Sequence, residues 1–242
     1  ADVVAVAFPD VFDLAVERAL DEREAPKTRV EAFRCVASLV AGSAAAESTV
    51  DVRDDGLYRG AAAAASSSTP FPSLPMLAAT DVWRAFARVL TRETDPNDHR
   101  AAMLRRGASA ALLAAARVDA LGVAEAFDFN PNHEADGTMW HGAFGVLRAP
   151  SRDDDVVADD AHAAANVASL LGVVTAAGCK TMDAALAADA LRRRFDAAVD
   201  AARVSTSDAA VSRAASTCAE ALATVVQANS RGDGDGERDI DA

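Results

Sequence analysis

Apolar residues recur along this chain at steps of three and four, the spacing that lines side chains up on one side of an α-helix. The pattern is clearest from Thr80 to Val118. Val82, Phe86, Val89 and Leu90 form one stripe, with Trp83 at its edge and Arg84, Arg88 and Arg92 on another side. Thr80 can cap the start, since its hydroxyl can accept from a first-turn amide. Asp95-Pro96 then stops the chain and restarts it, with Asp95 as the cap and Pro96 in the first turn, where a missing N–H costs nothing. The next helix carries Leu104, Ala108, Ala111, Leu112 and Ala115 on one stripe, while Arg105 and Arg106 point elsewhere. A link as short as Asp95-Pro96-Asn97-Asp98 makes the two helices antiparallel or steeply crossed. The alanines on the facing stripe let their axes come close.

The same device opens the chain. A helix from Pro9 to Leu20 presents Phe12, Ala15, Val16 and Ala19, and Arg18 is placed to pair with Glu22. After a break at Glu24-Ala25-Pro26, a second helix runs from Lys27 to Ala41 with Val30, Phe33, Ala37 and Val40 on one face. Gly42 stands where a C-terminal glycine belongs. Residues 43–75 read as a flexible insertion, because Ser66-Ser67-Ser68-Thr69-Pro70-Phe71-Pro72 cannot continue a helix.

Shorter helices are expected at Asp119–Phe127, with Leu121, Ala124 and Phe127 inside, and at Thr138–Leu147, weakened by Gly142 and Gly145. The last third reads as three longer helices. The first, Asp154 to Ala177, is apolar over so wide an arc that a central position follows, and Gly178 ends it. The second starts at a Thr181 cap and buries Ala184, Ala187, Leu191, Phe195, Ala198 and Ala202. The third, to about Ala228, buries Val211, Ala215, Cys218, Leu222 and Val225. Residues 229–242, rich in Gly and Asp, are expected to be a disordered acidic tail. The fold class is therefore all-α, with residues 1–228 as a single helical domain. Ala1 begins the chain in apolar sequence without Met, which points to a piece of a longer protein.

Composition narrows the function classes. Of 242 residues, 51% are hydrophobic but only 5% aromatic, so much of the apolar content is alanine, which favours helix and buries little area. The formal charge of −13 argues against general nucleic-acid binding and against an anionic membrane surface. No apolar run is long enough to span a bilayer. Cys35, Cys179 and Cys218 are odd in number and far apart, which suits reduced thiols in an intracellular protein, cytoplasmic or nuclear.

Candidate chemistry is sparse. His133, Glu134, Asp136 and His141 have metal-ligand residue types, but the two His are not at the i, i+4 spacing of a helical zinc site, and no metal or other cofactor is expected. Asp159-Asp160 reads as a solvated acidic face. Arg192 to Arg194 are placed to pair with Asp189 and Asp196. Residues with the character of a partner-binding surface are Trp140, His141, His133, Arg105 and Arg106.

The successive helical hairpins at Pro9–Gly42, Thr80–Val118 and Asp154–Ala228 resemble the HEAT and armadillo class of α-solenoid. An irregular helical bundle is the alternative architecture. The resemblance implies a non-enzymatic scaffold that binds another protein. Two other readings remain: an enzyme or metal-binding protein using the loop at residues 133–141, and a nucleic-acid binder using Arg84, Arg88, Arg92, Arg105 and Arg106 as one stripe.

Overall fold

A computed structural model describes residues 2–51, 80–92, 98–128, 138–148, 154–204 and 209–232. Among these residues the protein is all α-helical, with nine helices and no strand. They are α1 (Asp2–Leu20), α2 (Pro26–Asp51), α3 (Thr80–Arg92), α4 (His99–Ala116), α5 (Ala120–Asp128), α6 (Met139–Arg148), α7 (Asp154–Ala176), α8 (Ala184–Val204) and α9 (Ala209–Gly232).

Local chemistry explains most of the boundaries. Asp98 caps α4: its Oδ1 accepts from the amides of Arg100 at 2.8 Å and Ala101 at 3.4 Å. The expected cap, Asp95, lies outside the described residues. Asp183, rather than Thr181, caps α8, with its Oδ1 accepting from the Leu186 amide at 2.9 Å. Gly178 ends α7 as expected. Its φ of 82° is in the left-handed region, and the paired bonds Gly178 N to Thr175 O (3.0 Å) and Cys179 N to Val174 O (3.1 Å) close a Schellman turn.

Three boundaries move outward. Helix α1 begins well before Pro9. Helix α9 continues to Gly232, into the segment expected to be tail. Helix α2 runs through Gly42 to Asp51, so the first part of the expected insertion is helical. The alanine-rich run after Gly42 has enough helix propensity to carry the helix past one glycine. Residues 52–79 lie outside the described residues. Gly42 is exposed and a Cβ added there meets nothing within 4 Å. Gly42→Ala is therefore expected to stabilise the protein by about 0.5–1 kcal/mol, read as a higher urea midpoint at unchanged slope.

The helices pack as successive pairs. Helix α1 packs on α2, α3 on α4, α6 on α7, and α8 on α9. One row is continuous through α2, α4, α7 and α9, and a second through α1, α3, α6 and α8, with α5 wedged against α3, α4, α6 and α7. Helix α7 is central, as its wide apolar arc predicts, and α4 equally so. Ala101, Leu104, Ala108, Leu112 and Ala115 are buried on α4, and so are Arg105, Ser109 and Leu113, which belong to its other faces.

Two aromatic groups fill the spaces that alanine leaves. Phe33 of α2 meets Phe86 of α3 edge-on at 4.8 Å, and Trp83 lies between Phe86 (5.8 Å) and Phe12 of α1 (6.5 Å). Trp83 is thus central to the α3 stripe, with Phe86, Ala87 and Leu90, rather than at its edge. The largest ring on a short helix sets which side turns inward, because it removes the most apolar area from water. The second group stacks Trp140 of α6 on Phe127 of α5 at 4.5 Å.

The α7–α8–α9 interior holds a buried ion pair. Arg194 Nη2 donates to Asp160 Oδ2 at 2.8 Å, with side-chain exposures of 5% and 3%. Asp159, one residue earlier, turns the other way and accepts from Arg106 Nη1 of α4 at 2.6 Å. The consecutive acids expected to face solvent instead tie α7 to α4 and to α8. The turn from Asp159 to Asp160 along the helix is about 100°, enough to aim them at different partners.

Cys218 lies at the centre of the α9 stripe, with Ala210, Ala214, Ala221 and Val225. Burial pushes its thiol up from 9.0 to about 11, and nearby Arg194 offsets part of that rise. A thiol with a raised folded pKa leaves stability flat below pH 9. As pH then climbs toward 11, the unfolded chain loses its proton first and stability falls. The wild type is expected to lose stability more steeply than Cys218→Ala across that interval, measured by urea midpoints at each pH.

Candidate interaction surface

The residues singled out from the sequence are placed very differently. Trp140 is 2% exposed, and its Nε1 donates to Asp128 Oδ1 at 2.8 Å across the α5–α6 junction. Arg105 is 3% exposed on α4. Arg106 is half-buried and bound to Asp159 in the α4–α7 seam. His141 is exposed on α6, its Nδ1 3.5 Å from Thr138 Oγ1. His133 lies outside the described residues, together with Glu134 and Asp136. Of the described members of the set, His141 offers a partner the most surface. Among the described residues no three of His, Cys, Asp and Glu come together in a way that would hold a metal ion.

Several arginines tie one helix to another. Arg84 of α3 contacts Asp81 at 3.1 Å and Glu125 of α5 at 3.6 Å. Arg92 pairs with Glu22 in the α1–α2 turn. Arg148 of α6 reaches Asp189 of α8 at 3.6 Å, and Asp189 also takes Arg193 at 2.9 Å, the i, i+4 pair read from the sequence. Arg105 is buried and Arg106 is held by Asp159 in the α4–α7 seam, so the five arginines do not present one open cationic stripe to phosphates.

The α4–α7 seam is polar. Beside the Arg106–Asp159 pair, Asn166 Nδ2 of α7 donates to Ser109 Oγ of α4 at 3.1 Å, and Ser109 Oγ donates to the Arg106 carbonyl at 3.0 Å. His162 of α7 is half-buried. Within the seam a hydroxyl, an amide and an ion pair fix the register of two helices whose alanine faces would slide freely.

A second feature is a cleft of about 190 Å³ lined by Glu22, Arg29, Val89, Arg92 and Leu104. Its rim is the α1–α2 turn, tightened by Arg23 N donating to Asp21 Oδ1 at 2.9 Å and by Glu24 N donating to Asp21 O at 3.1 Å. Arg29 of α2 donates from Nε to the Ala19 carbonyl of α1 at 2.9 Å. Glu22, expected to take Arg18, takes Arg92 of α3 instead, and Arg18 takes Glu24. Arg92 is 70 residues from Glu22, so no local spacing announces that pair.

No protein-family model matches this chain, and no curated protein or solved structure matches it. Among the described residues no helix is long and apolar enough to cross a membrane.

Proposed function

We propose that the chain is a non-enzymatic protein-interaction scaffold, built as a short, irregular α-solenoid of the HEAT and armadillo kind. The observation that carries this reading is the packing order: each helix pair rests on its sequence neighbours, and the two rows extend pair by pair. In such a stack each unit touches only the next, and one continuous surface runs along each row for a partner to follow. An alanine-rich interior with polar ties between helices suits a stack, since the ties set register where large side chains are few. The acidic charge suits a partner of opposite sign over most of that surface and disfavours nucleic acid.

Capture on the immobilised chain, followed by rebinding with purified components, tests the reading. The expected result is a protein that rebinds in a saturable, salt-sensitive manner. If the purified chain binds no protein and carries stoichiometric metal by elemental analysis, the scaffold reading fails and the segment around residues 133–141 becomes the first place to look.

A further inference from the structure

The cleft beneath the α1–α2 turn holds two guanidinium groups against one carboxylate, in a chain whose formal charge is −13. Arg29 is held from behind through its Nε, which fixes the plane of its fork at one edge. Among the described residues its two Nη nitrogens take no partner. Arg92 lines the same cleft with its side chain 69% exposed, paired with Glu22, which is 66% exposed. An ion pair that open to water is weak and easily exchanged. Val89 and Leu104 complete the walls with apolar surface.

We propose that this cleft takes the carboxylate of a partner peptide, with the carboxylate oxygens on the Arg29 and Arg92 forks and an aliphatic stem on Val89 and Leu104. Two planar forks suit a carboxylate, which accepts from each. Glu22 occupies Arg92 in the free protein, and the incoming carboxylate replaces it. This deepens the scaffold reading by naming the chemistry of one contact, and it rests on that reading for the identity of the ligand as a peptide.

The test follows the Nε–Hε resonances of Arg29 and Arg92 in the full chain by NMR. The probes are N-acetyl-leucine, a glutamate with both ends blocked, N-acetyl-leucinamide and inorganic phosphate. Saturable shifts with a carboxylate probe and none with N-acetyl-leucinamide are expected. The stronger of the two carboxylates tells whether a chain terminus or an acidic side chain is preferred. Glu22→Gln should tighten binding roughly two- to fivefold, because a competing exposed ion pair is gone. Arg92→Gln should weaken it about tenfold, and both substitutions are at exposed positions that leave the fold intact. The proposal is overturned if neither carboxylate gives a saturable shift, if N-acetyl-leucinamide shifts the same resonances equally, or if phosphate binds more tightly than both carboxylates. Partner capture is scored separately: a partner that binds while the carboxylates do not removes the cleft and keeps the scaffold.

Discussion

Asp160→Ala should destabilise the protein by about 3–5 kcal/mol, the cost of leaving a buried guanidinium without its counter-charge. Asp160 and Arg194 bury their side chains to 3% and 5% exposure, at 2.8 Å. Arg194 Nη1 is already buried without a hydrogen-bond acceptor, so the loss of Asp160 leaves the group with still less compensation. In a protein of this length each kcal/mol lowers Tm by roughly 2–4 °C. Removing both charges is different. Asp160→Leu with Arg194→Met should recover most of the loss, because apolar replacements of similar size no longer need desolvated charge to be balanced. Glu22→Ala, which breaks the exposed pair with Arg92, should cost only about 0.2–1 kcal/mol. Urea midpoints for the single and double variants decide the matter. If Asp160→Ala is as mild as Glu22→Ala, the buried pair is not a structural anchor.

Gly142→Ala should cost about 1–3 kcal/mol, although alanine is the better helix former. A Cβ at this position of α6 would sit 2.3 Å from Thr91 Cβ and 3.1 Å from Thr91 Cα, both on α3. Neither atom moves when the threonine changes rotamer, so the two helices must part. Gly145, on the same helix, is exposed and its added Cβ meets nothing within 4 Å. Gly145→Ala should therefore stabilise by about 0.5–1 kcal/mol. The opposite signs separate helix propensity from helix contact. Thr91→Ala should fail to rescue Gly142→Ala, since it keeps the Cβ that stands in the way. Equal stabilisation by both alanine variants would mean that α3 and α6 do not meet at Gly142.

The helical class was legible because three- and four-residue periodicity survives an alanine-rich composition. The exact inward face was less so. On α9 the buried line is Ala210, Ala214, Cys218, Ala221 and Val225, while Val211, Ala215 and Leu222 are half-buried. Hydropathy points to the larger side chains, but close packing on α7 and α8 favours the small ones. Leu121 shows the same limit: it is 56% exposed, while Val123, Ala124, Ala126 and Phe127 turn inward. Helix α5 is too short for periodicity to outweigh its packing between α3 and α7.

Charge was the least readable layer. Asp189 with Arg193 could be read because four residues of helix bring them together. Asp160 with Arg194, Asp159 with Arg106, and Glu22 with Arg92 join different helices, and nothing in their local sequence marks the partner. The same is true of the cleft, whose walls come from the α1–α2 turn and three helices. Trp140 is instructive in the other direction. A rare, large aromatic in an alanine-rich chain has the character of an interaction residue, yet its ring is enclosed by Phe127 and Phe144 and its nitrogen by Asp128.

Truncation after Gly178 tests whether the helices stack pair upon pair. Helices α8 and α9 rest on α6 and α7, while α2 and α4 lie in the pairs before them. A stack of nearest neighbours should survive loss of its last pair, and native-state hydrogen exchange of residues 1–178 should show α2 and α4 amides still protected and unfolding still cooperative. Loss of protection throughout α2 and α4 would mean that all the helices share one indivisible core, and would contradict the solenoid and the scaffold reading built on it.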